Sequence, residues 1–178
     1  MDRAARRWSK ERGGFTLLEL LIVVAIIGII AALLMPNLLE ALNKSKQKRT
    51  MTDIRLVGTA WFSWVTDQVA AGAAGQQVAE LDWDGLFTTQ TFTALHEVLV
   101  PSYAAFIPEK DAWGNNYEYG GAERPQDTIP IGVRSTGADA DFAGGEYTAG
   151  AFIATDFVQD IVWAGGFFVR WPSGHNTD

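Results

Sequence analysis

The sequence predicts an α+β fold: one long N-terminal helix, its first half apolar enough to cross a membrane, its second half packed on a small antiparallel sheet of three or four strands. Three observations carry this. From Phe15 to Met35 there are 21 residues with one charge, Glu19, enough to cross about 30 Å of hydrocarbon at about 1.5 Å per helical residue. Further on, Ile54, Val57, Trp61, Trp64, Val65 and Gln68 recur at three- and four-residue spacing, as in a helix that packs along one side. After Gly72, short alternating runs bounded by Gly, Pro and Asp replace the helical period, as strands and turns do.

The chain accordingly divides into a polar leader (1–14), an apolar helix (15–36), an amphipathic stalk (37–71) and a globular domain (72–178). In an ordinary signal peptide the small residues of the cleavage site follow the apolar core. Here Gly13 and Gly14 precede it, so cleavage after Gly14 leaves the hydrophobic helix on the mature protein. Basic residues in front of the span (Arg3, Arg6, Arg7, Lys10, Arg12) hold the leader in the cytoplasm and place the C-terminal domain on the far side. A lone carboxylate in lipid is costly. Glu19 therefore either meets a functional partner or lies shallow enough to reach the interface.

Losing the leader's five basic and two acidic residues takes the net charge from −7 to −10. Five of the nine remaining basic residues lie between Lys44 and Arg55, so the domain itself is acidic. It offers no basic patch for nucleic acid, and it favours metal cations. With no cysteine, disulfides and thiolate chemistry are excluded. Two histidines, His96 and His175, make a histidine-based metal or nucleophile site improbable.

Taken in order, Pro36 removes one helical hydrogen bond and either kinks or loosens the apolar helix. Leu38, Leu39 and Leu42 form an apolar patch. Lys44, Lys46, Lys48 and Arg49 form a basic band suited to anionic headgroups or acidic neighbours. Gly58 and Gly72 soften the helix, and Gly72-Ala73-Ala74-Gly75 ends it, so that from Phe15 to about Val69 it runs some 80 Å. Residues 72–94, with Asp82-Trp83-Asp84-Gly85, read as a loop. Thr93–Leu99 reads as a short helix with Thr93 as N-cap, stopped by Pro101, on which His96 is a surface or packing residue rather than a ligand. Asp111-Ala112-Trp113-Gly114-Asn115 is a turn capped by Asp111, with Trp113 packing under it, and it leads into a Tyr117-Glu118-Tyr119 strand. Ile129–Arg134 and Asp160–Trp163 read as further strands. Gly165-Gly166 turns the last of these into Phe167–Pro172.

Gly14-Phe15-Thr16-Leu17-Leu18-Glu19, followed by the apolar run and Pro36, resembles the leader of type IV pilins and type II secretion pseudopilins. The resemblance implies cleavage after Gly14 by a prepilin peptidase and N-methylation of Phe15. It also implies that Glu19 pairs with the free N-terminus of a neighbouring subunit, since a buried carboxylate and a buried ammonium are each expensive alone and tolerable together. Asp111-Ala112-Trp113-Gly114-Asn115 and Asp160-Ile161-Val162-Trp163 resemble elements of the major, G-type pseudopilin of type II secretion. Ser135-Thr136-Gly137-Ala138-Asp139-Ala140 resembles that family's Ser-x-Gly-x-Asp-Gly, with Ala140 at the second glycine.

In many major pseudopilins this last element opens a calcium loop. The four carboxylates Asp139, Asp141, Asp156 and Asp160 could supply part of the six to eight oxygens that calcium takes; the alternative is a solvated acidic loop rich in turn-forming residues. The resemblance thus implies a pilin-like structural subunit, not an enzyme, in the bacterial inner membrane with a periplasmic domain. It would form a homo-oligomeric helical filament with minor pseudopilins, an inner-membrane platform and an assembly ATPase, and drive protein export across the outer membrane. The same leader also suits a type IV pilin of a surface fibre for adhesion, motility or DNA uptake, although the cysteine pair common in pilins is missing. A membrane-anchored periplasmic enzyme or calcium-dependent binding module would need convergent titratable groups, and the sequence offers only the acidic loop.

Overall fold

The structure, a computed structural model, describes residues 14–73, 88–121, 131–144 and 147–174. The leader before Gly14, the Asp82–Gly85 turn, Gly145, Glu146 and His175 lie outside the described residues. The chain forms two compact units, one up to Leu39 and one from Glu40 onward.

Helix α1 spans Leu17–Ala73 and contains Pro36. It starts where the apolar run starts. It ends four residues beyond Val69, because Ala70, Ala71 and Ala73 are strong helix formers that outlast a single Gly72. In the first unit its apolar side chains are exposed throughout, from Leu17 at 82% to Leu39 at 55%. Within the described residues it is the one helix long and apolar enough to cross a membrane.

In the second unit the stripe anticipated for packing is the core of the domain. Ile54, Val57 and Trp61 are wholly buried, and Met51, Trp64 and Val65 nearly so. They join Leu95 and Leu99 of helix α2 (Phe92–Leu99) and the inward residues of a sheet. Strand β2 (Glu118–Gly121) supplies Tyr119; β3 (Ile131–Ser135) supplies Ile131 and Val133; β5 (Ile161–Ala164) supplies Ile161 and Trp163; β6 (Phe167–Pro172) supplies Phe168. Strands β2 and β3 alternate buried and half-buried residues, the period of a sheet with one face on a helix.

Gly58 is a packing position rather than a softening one. A β-carbon there would lie 2.6–2.8 Å from three ring atoms of the buried Trp163, so the bare backbone lets this helix and β5 approach closely.

The sheet has six strands in the order β1-β2-β3-β5-β6-β4, against the three or four anticipated. Both additions are three-residue edge strands: β1 (Thr88–Gln90), inside the stretch read as loop, and β4 (Gly150–Phe152). All pairings are antiparallel except β4 with β6, which is parallel. Three-residue strands carry too little alternation to register as a pattern. The hairpin between β5 and β6 turns on Gly165 and Gly166, with φ of 59° and 100°; two positive-φ residues suit a hairpin turn that follows the twist of its strands.

Helix α2 is capped two residues earlier than anticipated. Its N-cap is Thr91, whose hydroxyl accepts from the Ala94 N–H, and Thr93 lies inside the helix. His96 is exposed, as expected.

Candidate functional site

Two places on the chain bear the sequence motifs, and each is built locally. The first is the start of α1. The Thr16 N–H and hydroxyl both donate to one Glu19 oxygen, at 2.9 and 2.8 Å, and the Glu19 N–H donates to the Thr16 hydroxyl at 3.2 Å. This is a reciprocal capping box: Thr16 stands before the first helical residue and Glu19 at the third, satisfying amides that have no partner within the helix. Glu19 thus has a role inside its own chain besides any role between chains. The Thr-x-x-Glu spacing signals this, and sequence reasoning passed over Thr16. Phe15, directly after Gly14, is 79% exposed.

The second place is the base of the β3–β5 connection. Asp111 is 5% exposed and uses both oxygens. One accepts from the Trp113 and Asn115 N–H groups at 2.9 Å each; the other accepts from the Ser135 hydroxyl at 2.7 Å. The Asn115 side chain donates to the Gly137 carbonyl at 2.8 Å, and the Ala112 N–H donates to Thr50 on α1 at 3.2 Å. The Asp-x-Trp-Gly-Asn turn is therefore pinned to both α1 and β3. Asp111 caps it as anticipated, and its bond to Ser135 is an addition only the fold reveals.

Gly137 has φ of 73°, and a β-carbon there would meet the Phe157 and Gln159 carbonyls at 2.7 and 2.9 Å. Two separate constraints thus require glycine. Ala140 adopts φ of 62°, in the left-handed region that glycine enters more readily.

The four candidate carboxylates do not gather. Among the described residues no three acidic or histidine side chains come together as a metal cluster. Asp139 and Asp141 are exposed, and Asp139 accepts from the Asp141 N–H in a local turn. The Asp156 carboxylate accepts from the Gln159 side chain at 3.1 Å, and Gln159 in turn accepts from Arg170 at 2.8 Å.

Asp160 differs from the other three. It is 2% exposed. Its Oδ2 accepts from the Ala143 N–H at 3.0 Å and from the Tyr147 hydroxyl, while its Oδ1 is buried with no partner among the described residues. The Thr136 hydroxyl is buried and unpartnered in the same way. Ser135 pairs with Ile161 at the end of the β3–β5 ladder; Thr136 directly follows β3 and Asp160 directly precedes β5. A buried carboxylate oxygen and a buried hydroxyl without partners are expensive, and both are hard donors of the kind calcium takes. Two such oxygens fall short of the six to eight that calcium takes, and among the described residues no acidic group joins them, so the described side chains do not fit that ion.

Tyr147 belongs to this site, and sequence reasoning missed it. Its hydroxyl donates to Asp160 and accepts from Arg134 Nη1 at 2.8 Å. Burial first, and then the bond to Asp160, push that hydroxyl up to about 12, so it stays protonated and donates. Arg134 also bonds Glu118, directly across the β2–β3 pair, and the Gly144 carbonyl, and stacks 4.0 Å over the Phe142 ring. An arginine at the end of a strand gives no hint in sequence of the loop it will hold.

Residues 9–35 match the family described as the prokaryotic N-terminal methylation motif. Over its length the chain is similar to type II secretion system core protein G of Vibrio cholerae, 34% identical across 85% of this chain and 97% of that protein. It is similar also to the core protein G of Pseudomonas aeruginosa, 28% identical across 79% of this chain and 93% of that one. The type IV major pilin PilA of Myxococcus xanthus is 42% identical, but over only 35% of this chain and 28% of the pilin. No solved structure matches significantly. The pilin likeness is thus partial, whereas the pseudopilin likeness covers most of this chain and nearly all of the relative. Membership implies processing at the matched motif, filament assembly and a structural role, and with one long apolar helix it fits a single-pass inner-membrane protein. The chain belongs to the family of major pseudopilins named type II secretion core protein G.

Proposed function

We propose that the chain is the repeating subunit of a type II secretion pseudopilus, assembling through its N-terminal helix to drive protein export across the outer membrane. The observation that carries this is the end-to-end likeness to core protein G, 97% of the Vibrio cholerae protein, against 28% of the Myxococcus xanthus pilin. Cleavage after Gly14 leaves Phe15 as the methylated N-terminus, and Glu19 pairs with that terminus on a neighbouring copy. Two expensive buried charges then neutralise each other and set the register of the subunits. The basic leader keeps the N-terminus cytoplasmic and the globular domain periplasmic. Minor pseudopilins, an inner-membrane platform and an assembly ATPase are the partners this role requires.

A surface-fibre role is the competing reading, and gene deletion separates the two in one experiment. Exoproteins retained in the periplasm with surface fibres intact are the expected result. Loss of fibres or surface motility with secretion unchanged would make the chain a type IV pilin.

A further inference from the structure

We propose that the β3–β5 connection is held by a cation of the chain's own, the Arg134 guanidinium, and takes its shape without a metal ion. Arg134 belongs to β3, where it is paired with Glu118 of β2 and Val162 of β5, so its root is a doubly paired strand and not the loop. On the sheet side its Nε donates to the Glu118 carboxylate at 2.8 Å, with Nη2 2.5 Å from the same oxygen. On the loop side its Nη1 donates to the Gly144 carbonyl and to the Tyr147 hydroxyl, both at 2.8 Å, and the guanidinium lies 4.0 Å from the centre of the Phe142 ring. A carbonyl oxygen, a hydroxyl oxygen and the negative face of an aromatic ring thus converge from the loop on one positive charge. Burial works against that charge, and the bonds to Glu118 and Tyr147 outweigh it, so the guanidinium stays protonated. Tyr147 passes the hold on. Its hydroxyl donates to Asp160 Oδ2, which also accepts from the Ala143 N–H, so the far end of the connection is tied to the same arginine. The other described carboxylates of the loop call for no second cation. Asp139 and Asp141 are exposed, where solvent and salt screen them, and Asp156 bonds Gln159, which bonds Arg170. What is left for calcium is one Asp160 oxygen and the Thr136 hydroxyl, against the six to eight oxygens that ion takes, with a guanidinium one hydroxyl away.

The test uses full-length protein in detergent micelles. Its thermal midpoint is read after metal stripping with a chelator and again in calcium chloride. An ion present at 100 times its dissociation constant would raise the midpoint by roughly 5–10 °C; the wild type is expected to melt at the same temperature in both. Chymotrypsin cleavage after Phe142, in chelator, then reads the hold directly, because that ring stacks on Arg134. Arg134→Gln is expected to be cut there about 10-fold faster than wild type or more, as the loss of charge-assisted hydrogen bonds implies. Tyr147→Phe, which keeps the ring and gives up only the hydroxyl, is expected to be cut faster by a smaller factor. Gly58→Ala, in the helix–sheet core, is expected to melt lower than wild type and yet be cut at the wild-type rate. Wild-type cleavage of Arg134→Gln would overturn the proposal, as would wild-type cleavage of Tyr147→Phe should Arg134→Gln fail to fold. Gly58→Ala cut as fast as Arg134→Gln would also overturn it, since the effect would then follow stability. A wild-type midpoint raised by calcium would overturn it too, and would return the loop to a metal.

Discussion

Asp53 shows how a single residue's surroundings translate into pH dependence. It lies on the buried side of α1, 3.7 Å from Arg49 and 3.4 Å from the Tyr117 hydroxyl. Burial pushes its carboxyl above the usual range, and Arg49 and Tyr117 oppose that only in part. A carboxyl raised in the folded state favours folding below its unfolded value, and the benefit is lost as pH rises through the folded value. Asp53→Asn should therefore gain stability relative to wild type at neutral pH and lose that advantage in acid, as read from thermal midpoints across pH. Residues were legible in the sequence when their role was local. Asp111 as a turn cap follows from its neighbours, whereas the carbonyls that require Gly137 belong to Phe157 and Gln159, out of reach of a local reading. Thr16 was equally local, and the Thr-x-x-Glu spacing was available to find it. The Ser135 bond to Asp111 and the Tyr147 bond to Asp160 were not legible, because each joins residues that only the sheet brings together.

Among the elements, α1 was readable to within about one turn at either end, since 3.6-residue periodicity over many turns is the strongest signal a sequence carries. The edge strands β1 and β4, each three residues long, offered no such repetition and were set by the neighbours they pair with. Gly58 was misread for a related reason: within a helix glycine looks like a weakness, and the Trp163 ring that requires it sits on a strand about 100 residues away. Replacing it with alanine pits a helix-propensity gain of up to about 1 kcal/mol against overpacking of about 1–3 kcal/mol. The Trp163 ring is buried at 3%, with little room to yield, so overpacking wins. Gly58→Ala should lower the unfolding midpoint of the purified protein; an unchanged or higher midpoint would mean that the helix and sheet can separate at little cost.

At the scale of the whole molecule, the division of labour was visible from composition alone: one apolar run with a single charge, one basic band, and an acidic domain without cysteine. The acidic domain's candidate ligands were less legible, since four carboxylates close in sequence scattered once folded and only Asp160 kept a buried free oxygen. The central claim concerns the N-terminal helix, whose Glu19 is bonded to Thr16 within one chain and is proposed to pair with the N-terminus of a neighbouring copy. The most direct measurement complements a deletion strain with wild type or Glu19→Ala and determines the fraction of exoprotein that reaches the medium. The account predicts full secretion with wild type and exoprotein trapped in the periplasm with Glu19→Ala, although that variant is present in the membrane at normal level. Equal secretion by the two strains would contradict it.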